Sequence, residues 1–176
     1  NISQRRELRL WAAQNNPALL PDARLFSSID EYRSDSEANY HGLLYGVFGY
    51  AVGLDMTRRD LQQWGKDHGR PWDFGKDFDQ AAPCGALVPA AKIGHPARGA
   101  IWLTVNGKQR QRADLGDMIW SVPEQIAYLS EYYTLEPGDL IYSGTPAGVG
   151  PVKAGDELHA GIDGVGELRV KILPAL

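Results

Sequence analysis

The sequence has little cysteine and no long apolar segment, and each absence excludes a class of protein. Cys84 is the only cysteine among 176 residues, so no disulfide can form within the chain. No apolar run approaches the roughly 20 residues of a membrane-spanning helix, and no signal peptide is visible. These absences predict a cytoplasmic protein without a membrane partner.

An excess of basic residues is also lacking. The formal net charge is −4 and the pI is about 5.5, so no nucleic-acid-binding surface is indicated. The length suits one domain with a sizeable core, and 20 glycines with 11 prolines indicate the many turns of a β-rich fold. The chain begins with Asn1 rather than Met, from which we expect a trimmed or processed start.

Nucleophilic and zinc chemistry find no support in the residue spacing. The four histidines are scattered and have no metal-binding spacing: His41, His68, His95 and His159. Ser143 does not stand in a Gly-x-Ser-x-Gly motif. Cys84 has no paired base nearby in the sequence, so we interpret it as a small buried residue.

The apolar patterns predict a mainly β, α+β domain with two or three helices. Asn106-Gly107 predicts a hairpin between strands at 101–106 and 108–112, and a final pair is predicted at 157–162 and 167–172. Further strands are expected at 50–54, 86–89 and 140–142. Helices are expected at 57–66, with Thr57 as the cap, and at 122–132, with Pro123 in the first turn.

A glycine-rich loop follows the predicted strand at 140–142. Three glycines lie between residues 144 and 150, and glycine lets backbone approach a ligand closely with positive φ. Thr145 adds a hydroxyl and a backbone donor, so the loop can hold a small anion. It is neither a Walker A loop nor a dinucleotide fingerprint. A wide turn without function is the alternative.

Asp55 and Lys76 are two charged residues in predicted loops where a functional role is possible. Asp55 comes after an apolar run and before a predicted helix, where a carboxylate can bind Mg²⁺ or Mn²⁺, cap the helix or pair with Arg59. Lys76 lies in a glycine-flanked aromatic loop, where it can neutralise an anionic substrate or remain a solvated surface residue.

These segments, in this order, resemble the fumarylacetoacetate hydrolase family, in its acylpyruvate and fumarylpyruvate hydrolase branch. The motifs that carry the resemblance are residues 49–62, 69–72, 76–79, 82–83, 105–107, 110–111, 118–120, 129–130, 135–139 and 143–150. The resemblance implies a mixed β-roll or β-sandwich barrel and a homodimer. It also implies a hydrolase of aromatic compound catabolism that uses Mg²⁺ or Mn²⁺ to cleave a 3-acylpyruvate to pyruvate and an acid.

The resemblance also implies roles for individual residues. Asp55 falls on the family's metal ligand, and Lys76 falls on the lysine that holds substrate and stabilises the enolate. Gln62, Gly144 and Thr145 fall on substrate-binding positions, and Arg59 matches an arginine that orders the Asp55 end. Oxaloacetate decarboxylation, isomerisation of hydroxymuconate-type diacids and a non-catalytic subunit remain alternatives.

The N-terminal part departs from the family pattern. The Glu-x-Glu metal ligands have their nearest counterpart in Glu7, with Arg5 in place of the first glutamate. Residues 1–40 contain no histidine, so the family's lid His and Glu lack matching positions. Absent segments, a divergent member with another reaction, or loss of catalysis would each explain this. We predict a divergent or incomplete segment at 1–40 and the catalytic part of a single domain at 41–176.

Overall fold

The computed structural model describes residues 43–174. Its strands are β1 (Gly49–Tyr50), β2 (Val88–Pro89), β3 (Ala100–Val105), β4 (Lys108–Asp114), β5 (Glu157–Ile162) and β6 (Gly166–Lys171). Its α-helices are α1 (Arg59–Asp67), α2 (Ala90–Ile93) and α3 (Val122–Ser130), and short 3-10 turns lie at Asp73–Gly75 and Leu115–Asp117. The mainly β, α+β prediction is confirmed. No helix within these residues is long and apolar enough to cross a membrane.

The described residues form two compact units. The first, called the helical unit here, includes Pro89–Ala97 and Met118–Ser143. The second, called the sheet unit, comprises Tyr50–Val88, Arg98–Asp117 and the residues from Gly144 onwards. The domain boundaries drawn from the sequence stay a prediction, because residues 1–40 lie outside the described residues.

The sheet unit is built on four antiparallel strands in the order β4-β3-β5-β6. Asn106 and Gly107 have φ of 51° and 74°, as a two-residue hairpin turn with the right-handed twist of its strands requires. The predicted hairpin and the predicted final strand pair are therefore confirmed. Both follow from local patterns of alternation and turn residues.

One face of this sheet carries the core of the unit. Leu158 and Ala160 alternate along β5 and are 3% and 4% exposed, so both point to the same buried side. Val105 joins them from β3, and Val52 and Leu54 join them from the segment before α1. Burial of apolar area at about 25 cal/mol per Å² is the main stabilising contribution here.

The segment after β1 is extended but is not a long strand as predicted. Gly53 forms an isolated antiparallel bridge with Cys84. Leu54 N donates to Pro83 O (2.9 Å), and Met56 N donates to Ala81 O (2.8 Å). These bonds run the segment antiparallel to residues 81–85 and fix the backbone on both sides of Asp55.

Two of the predicted details are wrong. The first turn of α1 has Arg58 at its N-cap without a side-chain hydrogen bond, so Thr57 does not cap the helix. Residues 140–142 do not form a strand. The three side chains there are 38–45% exposed, so the packing that gives apolar residues their strand preference is missing.

The helical unit is organised by the start of α3. Ser121 Oγ accepts from Glu124 N (3.5 Å), and Ser121 N donates to Glu124 Oε2 (2.8 Å), which is a capping box. Pro123 lies in the first turn and is fully buried. The predicted helix is confirmed, although it ends two residues earlier than expected.

Candidate functional site

The loop that carries Lys76 is held against the first turn of α1 by Gly75. Arg58 N donates to Gly75 O at 2.9 Å. A Cβ on Gly75 would lie 2.9 Å from Gln62 Cβ, closer than real side chains pack, and 3.1 Å from Arg58 O, which is tighter than most real contacts. Only glycine fits this contact, and the contact brings the following residue, Lys76, beside the extended segment at Asp55.

Lys76 and Asp55 form a direct ion pair at this point. Lys76 Nζ donates to Asp55 Oδ1 at 2.7 Å across 21 residues of sequence. The lysine side chain is 32% exposed and the aspartate side chain 50%, so both remain accessible to a small molecule. A pair this exposed contributes only about 0–1 kcal/mol to folding, and its value lies in orientation.

Arg59 and Gln62 lie on the first turn of α1. Arg59 Nη1 donates to Gln62 Oε1 at 2.9 Å, and Gln62 is 6% exposed. Neither Arg59 nor a helix cap is the observed partner of Asp55, because Asp55 is bonded to Lys76 instead. The hydrogen bond from Arg59 fixes the orientation of the Gln62 amide.

The glycine-rich loop is held by a residue that the sequence did not single out as functional. Gln111, on β4 and 8% exposed, donates through Nε2 to Thr145 Oγ1 (3.0 Å) and Pro146 O (2.5 Å). Its position after Arg110 in the family motif was the only sequence signal. Gly144 and Gly148 have φ of 127° and 102°, which confirms the predicted glycine conformation.

The predicted residues therefore form two groups within the sheet unit. Asp55 and Lys76 are bonded to each other, and the Gly75 contact joins them to the turn of Arg59 and Gln62. Thr145 belongs to the second group, with Gln111. Within residues 43–174, no hydrogen bond or ion pair joins Thr145 to Asp55 or Lys76. Both groups present exposed polar atoms.

A complete divalent metal site is not present in the described part of the chain. No cluster of three or more His, Cys, Asp or Glu residues occurs between residues 43 and 174. Asp55 is a hard oxygen donor of the kind that Mg²⁺ and Mn²⁺ prefer, but its Oδ1 already accepts from Lys76. Glu7, the other predicted ligand, lies outside the described residues.

In the described part of the chain, no hydrogen bond or ion pair joins Cys84, His68 or His159 to Asp55, Lys76 or Thr145. Cys84 is exposed, so its prediction as a buried residue is wrong, and desolvation raises the pKa of its thiol. A raised pKa lowers the thiolate fraction and disfavours nucleophilic attack. His159 pairs with Glu167 at 2.7 Å and packs edge-on against Trp102, and His68 stacks on Trp64.

A family defined by the C-terminal region of fumarylacetoacetate hydrolase matches residues 36–173 of the chain. The chain belongs to the fumarylacetoacetate hydrolase family. It is 49% identical to the fumarylpyruvate hydrolase of a Ralstonia species over 140 residues, which are 80% of this chain and 71% of that protein. It is 50% identical to the mitochondrial oxaloacetate tautomerase of Mus musculus over 126 residues, 72% of this chain and 57% of that protein.

Solved structures show the same fold in other members of the family. The crystal structure of fumarylpyruvate hydrolase from Pseudomonas aeruginosa in complex with Mn²⁺ and pyruvate has a TM-score of 0.75 and 51% identity. The match covers 77% of this chain and 58% of that one. The predicted family fold is confirmed by this likeness. The chain spans a little over half the length of this structure and of the mouse relative.

We predict that replacing Gly75 with alanine will lower the free energy of unfolding by about 1–3 kcal/mol, because the added methyl collides with Gln62 and Arg58. Gly150→Ala is the matched control, since a Cβ there meets nothing within 4 Å. Urea denaturation followed by tryptophan fluorescence measures both. Equal stability of the two variants contradicts the close contact.

We predict that Gln111→Met will release the loop at residues 144–150. Loss of the two hydrogen bonds, at about 1 kcal/mol each, costs about 2 kcal/mol, equivalent to about 30-fold faster amide hydrogen exchange in that loop. Gln109→Met, an exposed position on the same strand, is the control and leaves exchange unchanged. Unaltered exchange in Gln111→Met shows that the loop is held by other contacts.

Proposed function

We propose that the chain is a metal-dependent hydrolase that cleaves the C3–C4 bond of a 3-acylpyruvate such as fumarylpyruvate, giving pyruvate and an acid. The observation that carries the proposal is the accessible Lys76–Asp55 pair at 2.7 Å, on the residues that the family uses for substrate and metal. The name of the Ralstonia relative and the Mn²⁺ and pyruvate of the Pseudomonas structure support the substrate class.

Lys76 supplies the charge that the reaction needs. In acylpyruvate hydrolysis, water adds to the C4 carbonyl, the C3–C4 bond breaks, and its electron pair passes into the enolate of pyruvate. Protonation at C3 then gives pyruvate. A fixed ammonium group beside the developing enolate oxygen lowers the barrier, because it does not have to reorganise as the charge forms. Asp55 holds that ammonium in place.

The other residues bind and orient the substrate. The backbone N–H groups of the loop at Gly144 and Thr145, with the Thr145 hydroxyl, receive the substrate carboxylate. Gln111 keeps the loop in position for this contact. Gln62, whose amide is oriented by Arg59, provides a further polar contact. Binding in one geometry contributes by proximity and orientation.

The metal requires ligands beyond those described. Mg²⁺ is commonly held by one or two carboxylates together with substrate oxygens and waters, so Asp55 fits as one ligand and does not suffice alone. We propose that the others come from residues 1–42, where Glu7 is the candidate, or from a partner chain in a homodimer. A bound divalent cation would polarise the 2-oxo group as a Lewis acid.

Oxaloacetate tautomerisation is the second candidate function. The mouse relative, named as an oxaloacetate tautomerase, is as similar to this chain as the Ralstonia hydrolase is. Both reactions pass through the enolate of a 2-oxo acid, so Lys76 would serve both. They differ in bond cleavage, because only hydrolysis releases pyruvate and a second acid.

A cytoplasmic location is proposed on the single cysteine, which excludes an internal disulfide.

We predict that Lys76→Met will lower kcat with fumarylpyruvate by about 10²–10³-fold, the usual loss when one donor to a developing oxyanion is removed. Lys92→Met, an exposed lysine of α2, is the control and keeps the parent kcat. Pyruvate and fumarate are quantified by chromatography in the presence of Mn²⁺. Unchanged turnover in Lys76→Met removes the assigned role, and accelerated oxaloacetate tautomerisation without pyruvate release selects the second candidate.

We predict that oxalate, a mimic of the pyruvate enolate, binds only when Mn²⁺ is present. Calorimetric titration of the full chain with and without Mn²⁺ measures this, and Asp55→Asn is expected to abolish the metal-dependent binding. A surface pair contributes little to stability, so Asp55→Asn stays folded, with a change within about 1 kcal/mol. Absence of oxalate binding in both conditions contradicts the metal-dependent proposal.

A further inference from the structure

A cavity lies in the sheet unit, and neither Asp55 nor Lys76 is among its lining residues. It has a volume of about 380 Å³ and is bounded by the β3–β4 turn and by residues 151–156. Three of its lining side chains are cations, Lys108, Arg110 and Lys153. The chain as a whole has a net charge of −4, so the positive charge around this cavity is opposite in sign to the net charge of the protein.

The one carboxylate in the lining already accepts hydrogen bonds from neighbouring groups. Asp156 is 7% exposed, and its Oδ1 and Oδ2 accept from Asn106 Nδ2 and Lys153 N, both at 2.9 Å. The backbone N–H of Lys153, the Asn106 amide and the nearby charges of Lys153 and Arg110 hold the pKa of Asp156 below its usual value. Asp156 therefore stays ionised and fixed as part of the wall.

The three cations keep a positive excess after this carboxylate is counted. No ion pair within 4.0 Å joins Lys108, Arg110 or Lys153 to an acidic residue anywhere between residues 43 and 174. Three cations and one carboxylate leave a formal excess of two positive charges around a single cavity. Such a concave cationic surface concentrates small anions, and Arg110 offers the planar fork that binds an oxyanion through two parallel hydrogen bonds.

The lining of this cavity includes neither Thr145 nor Gln111. Arg110 is exposed and Gln111 is buried, and a register shift lies at this pair, because Gln111 is opposite Leu103 whereas Gln109 is opposite Thr104. The Gln111 side chain holds the Thr145 loop through its amide nitrogen, whereas the Arg110 side chain lines the cavity. Removal of the Arg110 side chain therefore leaves the contacts of Gln111 in place.

We propose that this cavity is a second binding site, for a small oxyanion that carries two or more negative charges. The two lysines supply point charges, and Arg110 supplies directional hydrogen bonds. Val105 and Val152 line the same cavity with apolar surface. Phosphate and dicarboxylates share the required chemistry.

Amide chemical shifts of the full chain during titration with inorganic phosphate at pH 7.5 test the proposal, with ionic strength held constant by NaCl. We expect saturable shifts at Asn106, Gly107 and residues 152–153. Arg110→Gln and Lys153→Gln each weaken binding about tenfold, as expected for loss of one charge-assisted contact. Lys92→Gln, an exposed lysine outside the cavity, leaves the affinity unchanged.

A parallel titration with succinate separates the two sources of the anion. Tighter binding of phosphate assigns a phosphoryl ligand, and tighter binding of succinate assigns a dicarboxylate; each supports the proposal. If Arg110→Gln does not fold, Lys108→Gln and Lys153→Gln carry the test.

Three outcomes overturn the proposal: no saturable shift, shifts of equal affinity in the cavity variants, or loss of binding in Lys76→Met. The last outcome would place the anion at the Asp55–Lys76 pair. Failure here leaves the acylpyruvate assay unaffected, because that assay depends on Lys76 and not on the cavity cations.

Discussion

The contact between Gly75 and the first turn of α1 is the constraint on which the candidate site depends. It brings together two stretches of chain that are far apart in sequence, and it works only because residue 75 has no side chain. The Arg58–Gly75 hydrogen bond sets where α1 begins. The same contact places Lys76 at bonding distance from Asp55. The start of α1, the position of the loop that carries Lys76 and the Lys76–Asp55 ion pair therefore all depend on the same contact.

The ion pair is arranged for chemistry more than for stability. A half-exposed pair contributes little to folding, since water solvates its separated charges almost as well. It does fix an ammonium group in space, and it does so with a carboxylate that we propose as a metal ligand. Each oxygen of a carboxylate has two lone pairs, so Asp55 can accept the hydrogen bond from Lys76 and still bind a cation. Within residues 43–174, Asp55 belongs to no group of three or more His, Cys, Asp or Glu side chains that could hold a metal ion.

Features that depend on neighbouring residues could be predicted from the sequence, and those that depend on distant contacts could not. Asn106-Gly107 specifies its hairpin locally, and β5 and β6 follow from alternation. Thr57 is a residue type that commonly caps helices, but the hydrogen bond from Arg58 N to Gly75 O fixes the start of α1 instead. The Gln111–Thr145 bond spans 34 residues and leaves no periodic signal. Spacing alone left several roles open for Asp55 and for Lys76, and the family motifs favoured one role for each.

Hydrolysis and tautomerisation share the half of the reaction that the described residues support. Both need a 2-oxo acid held by its carboxylate and an enolate stabilised by positive charge, which are the roles that we propose for Thr145 and Lys76. Hydrolysis additionally needs a base that delivers water to the acyl carbon. In the family that base is carried on an N-terminal lid, and residues 1–40 contain no histidine to match it. The choice between the two reactions therefore depends on what activates water, and we propose that the sheet unit supplies the enolate chemistry common to both.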